Sequence, residues 1–116
     1  AGEFSRRSDI IGANYAINDA WQFKLAMGSS LPRDESGRSR NFAVLGFKLK
    51  QELFGNRNPL GQFIRVGGIR FRVVGVLEEK GQMLGFDLDD IVFIPVDKAM
   101  SLFNREGLME IDVVFA

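Results

Sequence analysis

The feature that most constrains the fold is a pair of adjacent glycines, Gly67 and Gly68, between two runs in which apolar and polar residues alternate. The runs span residues 62–66 and 69–73, and alternation with a period of two is typical of strands with one buried face. Two glycines accept the positive φ angles that a tight two-residue turn requires. The pattern therefore predicts a β-hairpin.

The predicted register pairs Val66 with Ile69 and places Arg65 opposite Arg70 on the other face, where like charges repel. Residues 47–77 hold six basic and one acidic side chain, whereas residues 78–116 hold three basic and nine acidic ones. We expect an acidic group near the two arginines. This group belongs either to the protein's own acidic segment, residues 78–116, or to an anionic partner.

Hydrophobic periodicity and turn residues predict the other elements of the chain. Strands are expected over 21–26, 41–45, 91–95 and 110–115, helices over 47–54 and 98–104, a short helical stretch over 14–20, and loops over 29–40 and 78–90. The second hairpin strand is expected to continue to Leu77. The predicted fold class is α+β, with a mixed, mostly antiparallel sheet, two short helices and one Gly-Gly hairpin.

Four residues have predicted local roles in these elements. Gly55 is expected to end the first helix in a left-handed conformation, and Gly75 to mark a β-bulge or a close backbone approach. Asp97 is a favourable N-cap for the second helix. Met100 shares a face of that helix with Phe103.

The composition excludes many functions. A chain of 116 residues predicts one domain. It has neither Cys nor His, which excludes disulfides, a thiol nucleophile, a Cys/His zinc site and a histidine base. The net charge of zero argues against nucleic-acid binding, and no run approaches the ~18 apolar residues of a membrane helix. No cofactor motif is present.

The remaining candidates for chemistry are acidic. Asp87, Asp89 and Asp90 carry oxygens that suit a divalent cation, but they lack the spacing of a calcium loop. Asp89 and Asp90 are also the candidates for a catalytic pair in a small hydrolase, although adjacent side chains usually point in opposite directions. Loop residues that cap or pair with the basic segment are the simpler interpretation. We therefore predict no active site.

The segment between residues 80 and 90 is the best candidate for recognition, because it places large apolar side chains among charges. Such side chains either pack beneath their own loop or contact a partner. The candidate contact residues are Lys80, Gln82, Met83, Leu84, Phe86 and Asp87.

A series of short motifs occurs in one order along the chain. The series is Val44-Leu45-Gly46, Leu53-Phe54-Gly55, Asn58-Pro59-Leu60-Gly61, Ile64-Arg65-Val66-Gly67-Gly68, Phe71-Arg72-Val73-Val74-Gly75-Val76-Leu77, Lys80-Gly81-Gln82, Asp89-Asp90 and Ile94-Pro95. In this order the motifs resemble the extracytoplasmic core domain of MacB-type ABC-transporter permeases, a family that includes FtsX-like and lipoprotein-releasing permeases. The similarity covers about residues 14–115.

The resemblance implies a cell-membrane protein with this domain on the periplasmic or extracellular side, between the first two membrane helices. It implies no reaction in the domain itself, since a separate cytoplasmic domain or subunit hydrolyses ATP. The implied partners are the membrane helices of the permease, that ATP-binding subunit and a periplasmic adaptor protein, with a dimer only in the full transporter. Family substrates include macrolides, peptide toxins and lipoproteins.

The resemblance also sets expected boundaries. Residues 1–13 begin Ala-Gly-Glu-Phe without Met and are interpreted as a cloning remnant or flexible lead-in. Residues 14–116 are the expected core domain, one lobe of a longer extracytoplasmic domain. The alternative function is a free-standing module that binds a peptide or protein at a sheet edge.

Overall fold

The computed structural model describes residues 4–13, 24–29, 31, 40–79, 82–83, 86–87, 89–106 and 110–115. Within these residues the chain forms nine strands and two helices. The strands are β1 (Phe4–Ala13), β2 (Leu25–Gly28), β3 (Phe42–Leu45), β4 (Phe63–Val66), β5 (Ile69–Leu77), β6 (Gln82–Met83), β7 (Phe86–Asp87), β8 (Ile91–Pro95) and β9 (Glu110–Phe115). The helices are α1 (Phe47–Phe54) and α2 (Val96–Glu106).

Seven of these strands form one sheet in the order β2-β5-β3-β8-β1-β9-β4. Because β4 also pairs with β5, the sheet closes on itself and leaves only β2 outside the ring. The pairs β1–β8 and β3–β5 are parallel, and the other pairs of this sheet are antiparallel. The predicted α+β class with a mixed, mostly antiparallel sheet is confirmed.

Strands β4 and β5 form an antiparallel hairpin around the two adjacent glycines. Gly67 has a φ of 60° and Gly68 a φ of 83°, the positive values that a tight turn of this kind needs. Val66 lies opposite Ile69, and Arg65 lies opposite Arg70, as in the predicted register. This hairpin fixes the position of β5, the strand that touches three neighbours.

Helix α1 has the predicted bounds, but both of its ends differ from simple expectation. Gly55 has a φ of 57° with a ψ of −121°, which is a glycine conformation but not the predicted left-handed one. Lys50 is buried, and its Nζ donates a 2.7 Å hydrogen bond to the Gly55 carbonyl. At the other end Gly46 offers no side-chain cap, and the backbone carbonyl of Asp89 accepts a 3.1 Å hydrogen bond from Leu49 instead.

The main apolar core joins one face of the sheet to both helices. Helix α1 contributes Leu49, Leu53 and Phe54, and α2 contributes Leu102. The strands contribute Ala43, Leu45, Ile64, Val66, Phe71, Val73, Val76, Val92, Ile94 and Val113. The buried residues of α1, which are Leu49, Lys50, Leu53 and Phe54, lie on one broad face, and the other side of the helix is exposed. Packing of this face against the sheet stabilises so short a helix.

A second apolar cluster covers the opposite face of β3 and β8. Its buried members are Leu31, Val44, Leu77, Ile91 and Phe93. Since β8 contributes to both clusters, all five of its residues are buried. This explains its continuous apolar sequence.

Strand β5 carries a bulge where it pairs with β3. Ala43 pairs with Val73 but Val44 pairs with Gly75, so that Val74 is an extra residue on β5. A side-chain carbon on Gly75 would collide with the Ser29 carbonyl oxygen. Both predicted roles of Gly75 are therefore confirmed.

Four predictions about local structure need correction. The flexible lead-in over 1–13 is wrong for Phe4–Ala13, which form β1 between β8 and β9. Asp97 lies inside the first turn of α2 and is not its N-cap, since the helix begins at Val96. The loop over 78–90 contains β6 and β7. The strand expected over 21–26 ends later than predicted, since β2 continues to Gly28.

The helical stretch predicted over 14–20 lies outside the described residues, as do residues 21–23, 30 and 32–39.

Candidate functional site

The segment with the predicted contact residues contains a small hairpin of its own. Gln82 pairs with Asp87 and Met83 pairs with Phe86, in a two-stranded antiparallel sheet that is separate from the seven-stranded one. These two backbone pairings place four of the six predicted contact residues next to each other. The other two, Lys80 and Leu84, lie outside the described residues.

The chain is fixed on the side where it enters this hairpin. Strand β5 ends at Leu77, which is 1% exposed and belongs to the second apolar cluster. The next residue, Glu78, donates a backbone hydrogen bond of 2.8 Å to the Lys24 carbonyl. The entry to the hairpin is therefore attached to the β2–β5 pair.

The chain is fixed on the exit side by a turn at Asp89 and Asp90. Asp89 is 7% exposed, and its carbonyl oxygen caps α1 as described above. Ser8 on β1 donates a 2.8 Å hydrogen bond from Oγ to Oδ1 of Asp90. Gly46 donates a backbone hydrogen bond of 2.8 Å to Ile91, the first residue of β8.

Gly46 is required for this turn to sit so close to α1. A side-chain carbon at this position would collide with the Asp89 carbonyl group. The turn, the N-terminus of α1 and the start of β8 are thus packed backbone to backbone. The small hairpin is held at both ends by the closed sheet and its first helix.

The two aspartates contact different parts of the fold. Asp89 presents its main-chain carbonyl to α1, while the Asp90 carboxylate accepts a hydrogen bond from Ser8. In the part of the chain that the structure describes, acidic side chains do not assemble into a group that could hold a metal ion. The Asp89 carbonyl therefore caps α1 within the basic segment, whereas the Asp90 carboxylate binds Ser8 of β1, outside that segment.

Helix α2 exposes an apolar face that the sequence pattern only partly predicted. Met100 and Phe103 do share a face, but they are 56% and 48% exposed, and Val96 is 55% exposed. Together with Ile10 of β1 they line a groove of about 210 Å³. Gly12 lets the helix approach β1, since a carbon added there would lie 3.1 Å from the Ala99 Cβ.

Among the described residues, no helix has both the length and the apolar character needed to cross a membrane.

A comparison with known protein families identifies the domain. The model of the MacB-like periplasmic core domain matches residues 2–116. The chain belongs to this family. The match includes residues 2–13, which the expected boundary at residue 14 leaves out.

Full-length relatives carry the same domain within larger transporters. The chain is 36% identical over 103 residues to the macrolide export ATP-binding/permease protein MacB of Chlorobium luteolum, covering 88% of this chain and 16% of that protein. It is 31% identical over 99 residues to the pyoverdine export ATP-binding/permease protein PvdT of Pseudomonas aeruginosa, covering 84% of this chain and 15% of that protein. The chain therefore spans a small part of the relatives that it matches.

Two solved structures share the fold. The periplasmic region of MacB from Actinobacillus actinomycetemcomitans superposes with a TM-score of 0.65 at 20% identity, over 97% of this chain and 54% of that one. The extracellular domain of the noncanonic ABC-type transporter YknZ, from Gram-positive bacteria, gives a TM-score of 0.62 at 20% identity, over 98% of this chain and 62% of that one.

The resemblance inferred from the ordered motifs is confirmed by these comparisons. The chain is an extracytoplasmic domain of an ABC-transporter permease. Family membership favours this assignment over a free-standing peptide-binding module.

Proposed function

We propose that this MacB-like domain couples ATP hydrolysis, carried out by a separate cytoplasmic domain or subunit, to export or lipoprotein release outside the membrane. The observation that supports this proposal most directly is the family match over residues 2–116, in relatives named as ATP-binding/permease export proteins. The domain itself performs no reaction in this account. Its contribution is mechanical.

A domain that transmits movement must resist deformation, and the closed sheet suits this role. Each of the six strands in the ring pairs with one neighbour on each side over at least part of its length, so none of them is an edge strand throughout. Buried side chains of α1 fill one face of it, and the second cluster covers β3 and β8 on the other. Interiors packed in this way have low compressibility and transmit strain.

We propose that the contact with an adaptor protein or with the exported substrate is made by Lys80, Gln82, Met83, Leu84, Phe86 and Asp87. Two features of the backbone support this choice. The β6–β7 pair forms a sheet of its own. Its segment follows β5 of the ring, is bound through Glu78 to the Lys24 carbonyl beside β2, and is bound through Asp90 to Ser8 of β1 in the ring. A displacement of the hairpin would therefore be transmitted directly to the closed sheet.

The proposed partners follow from the domain organisation of the relatives. They are the membrane helices of the same permease, the cognate ATP-binding domain or subunit, and a periplasmic adaptor. Dimerisation belongs to the full transporter in this account. The exported substrate is left open, because relatives named for macrolide export and for pyoverdine export match this chain to a similar degree.

The test replaces Met83, Leu84 and Phe86 with serine in the full-length transporter and measures export, adaptor binding and ATP hydrolysis. Removal of the apolar anchors is expected to weaken adaptor binding by about tenfold or more and to reduce export, with the fold and the basal ATPase retained. The matched control replaces three exposed apolar residues of α2, Val96, Met100 and Phe103, with serine. Unchanged export and adaptor binding in the hairpin variant, or equal losses in both variants, would contradict the proposed contact surface.

A further inference from the structure

One face of the β4–β5 hairpin carries three arginines and one phenylalanine. The register places Phe63 opposite Arg72 and Arg65 opposite Arg70. All four side chains are exposed, whereas the residues that alternate with them, from Ile64 to Val73, point into the core. The four therefore form a continuous exposed patch, which we call the arginine face.

The arginine face is partly organised by a cation–π contact. The guanidinium carbon of Arg70 lies 3.8 Å from the centroid of the Phe63 ring. Stacking of this kind is attractive even at exposed sites and restricts the arginine side chain. Phe63 remains 46% exposed beneath it, so the ring keeps apolar surface available.

The sequence predicts an acidic neighbour for Arg65 and Arg70, and among the described residues none is found at Arg70. Among the residues that the structure describes, no carboxylate pairs with Arg70 or Arg72. Arg65 does have an interaction of its own. Guanidinium groups on directly opposed and diagonal positions of neighbouring strands repel each other, and an anion placed between them removes that repulsion.

We propose that the arginine face is a docking surface for an extended acidic segment of another protein. Alternate side chains in an extended strand are about 6.8 Å apart, the same spacing as that between Arg70 and Arg72 along β5. An extended segment with Asp or Glu at alternate positions therefore matches the spacing of the backbone positions that carry these arginines. Arginine can hold each carboxylate with two parallel hydrogen bonds.

The composition of the patch favours a protein over a membrane surface. Protein interfaces are enriched in arginine and aromatic residues, and the exposed Phe63 ring supplies an apolar anchor of this kind. Recognition of anionic lipids typically uses clusters of four to eight basic residues, and the arginine face has three. The proposal goes beyond the transporter function and does not depend on the β6–β7 hairpin.

The experiment is a titration of the ¹⁵N-labelled 116-residue chain, followed by NMR. The probe is a short peptide of alternating Glu and Thr residues, and the control peptide has Gln in place of Glu. We expect chemical-shift changes centred on residues 63–72 with the first peptide only, and their loss when the ionic strength is raised to about 1 M. Vesicles of phosphatidylglycerol form a separate arm.

Two double variants with equal changes in charge make the test specific. Replacement of Arg70 and Arg72 by glutamine is expected to weaken peptide binding about fivefold, as appropriate for two exposed charge pairs. Replacement of the exposed Lys24 and Lys48 by glutamine should leave it unchanged. The proposal is overturned by an absence of peptide binding, by equal losses in both variants, or by binding to the vesicles but not to the peptide.

Discussion

Ser8 and Asp90, which are 82 positions apart in the sequence, are joined by a 2.8 Å hydrogen bond from the serine hydroxyl to the aspartate carboxylate. Ser8 lies on β1 and is only 2% exposed. Asp90 ends the segment that holds the β6–β7 hairpin. The bond therefore connects a central strand of the closed sheet to the exit of the proposed contact region.

Replacement of Ser8 by alanine should lower the free energy of unfolding by about 1 kcal/mol, because it leaves a part-buried carboxylate oxygen without this donor. Urea unfolding followed by circular dichroism measures the change. Ser101→Ala is the matched control, since Ser101 is exposed on α2, and a change within about 0.5 kcal/mol is expected there. Equal effects of the two substitutions would contradict the role given to the Ser8 hydroxyl.

Two glycines of β5 and its hairpin should respond to alanine for different reasons. Gly75→Ala should destabilise the protein by about 3 kcal/mol, because the new carbon collides with the backbone carbonyl of Ser29. At Gly68 the added carbon meets open space, and the only penalty of Gly68→Ala is the φ of 83°. The free energy of unfolding is therefore expected to fall by about 1 kcal/mol. Chemical unfolding of both variants would show whether the loss at Gly75 is the larger, and the reverse order would argue against the close approach of β2.

The two helices offer a comparison between a buried and an exposed phenylalanine. Phe54 is 2% exposed, and its ring centroid lies 4.2 Å from that of Phe115 on β9. Phe54→Ala should therefore cost about 3–5 kcal/mol, whereas Phe103→Ala, at a site 48% exposed, should cost about 1 kcal/mol or less. Thermal and urea unfolding provide the values, and similar losses at both sites would be inconsistent with α1 as part of the main core.

Elements with strong local signals could be predicted from the sequence alone. The bounds of α1, β8 and β9 agree with the predicted 47–54, 91–95 and 110–115. Each has a clear apolar pattern and a glycine, proline or acidic residue near its end. The hairpin register followed from the Gly67-Gly68 pair, since turn length determines which residues lie opposite each other.

Elements that depend on distant partners could not be predicted in this way. Strand β1 has a polar sequence with two arginines, two serines and an aspartate, and it is held by β8 on one side and β9 on the other. Its formation depends on pairing across most of the chain, for which the sequence carries no local signal. Closure of the sheet through β4 and β9 has the same origin.

The candidate contact region was recognised from its mixture of apolar and charged residues, but its shape was not. The strands of this hairpin have two residues each, with Gln82 opposite Asp87 and Met83 opposite Phe86, and are too short for alternation to be detected. The buried state of Lys50 was also missed, because its hydrogen bond to Gly55 depends on how α1 ends. The position of the exposed Phe63 ring beneath Arg70 could not be predicted either, because it depends on how the whole hairpin packs.

The central claim, that this domain stands outside the membrane as part of a permease, is tested most directly by cysteine labelling. The chain has no cysteine, so Asn58→Cys, at an exposed turn residue, places a single thiol in the domain of the full-length protein. A maleimide that cannot cross the inner membrane is added to cells with a permeabilised outer membrane, and the parent protein without the new thiol is the control. Labelling of the new thiol is expected in these cells while the inner membrane is intact, and labelling only after the inner membrane is disrupted would contradict a position outside the membrane.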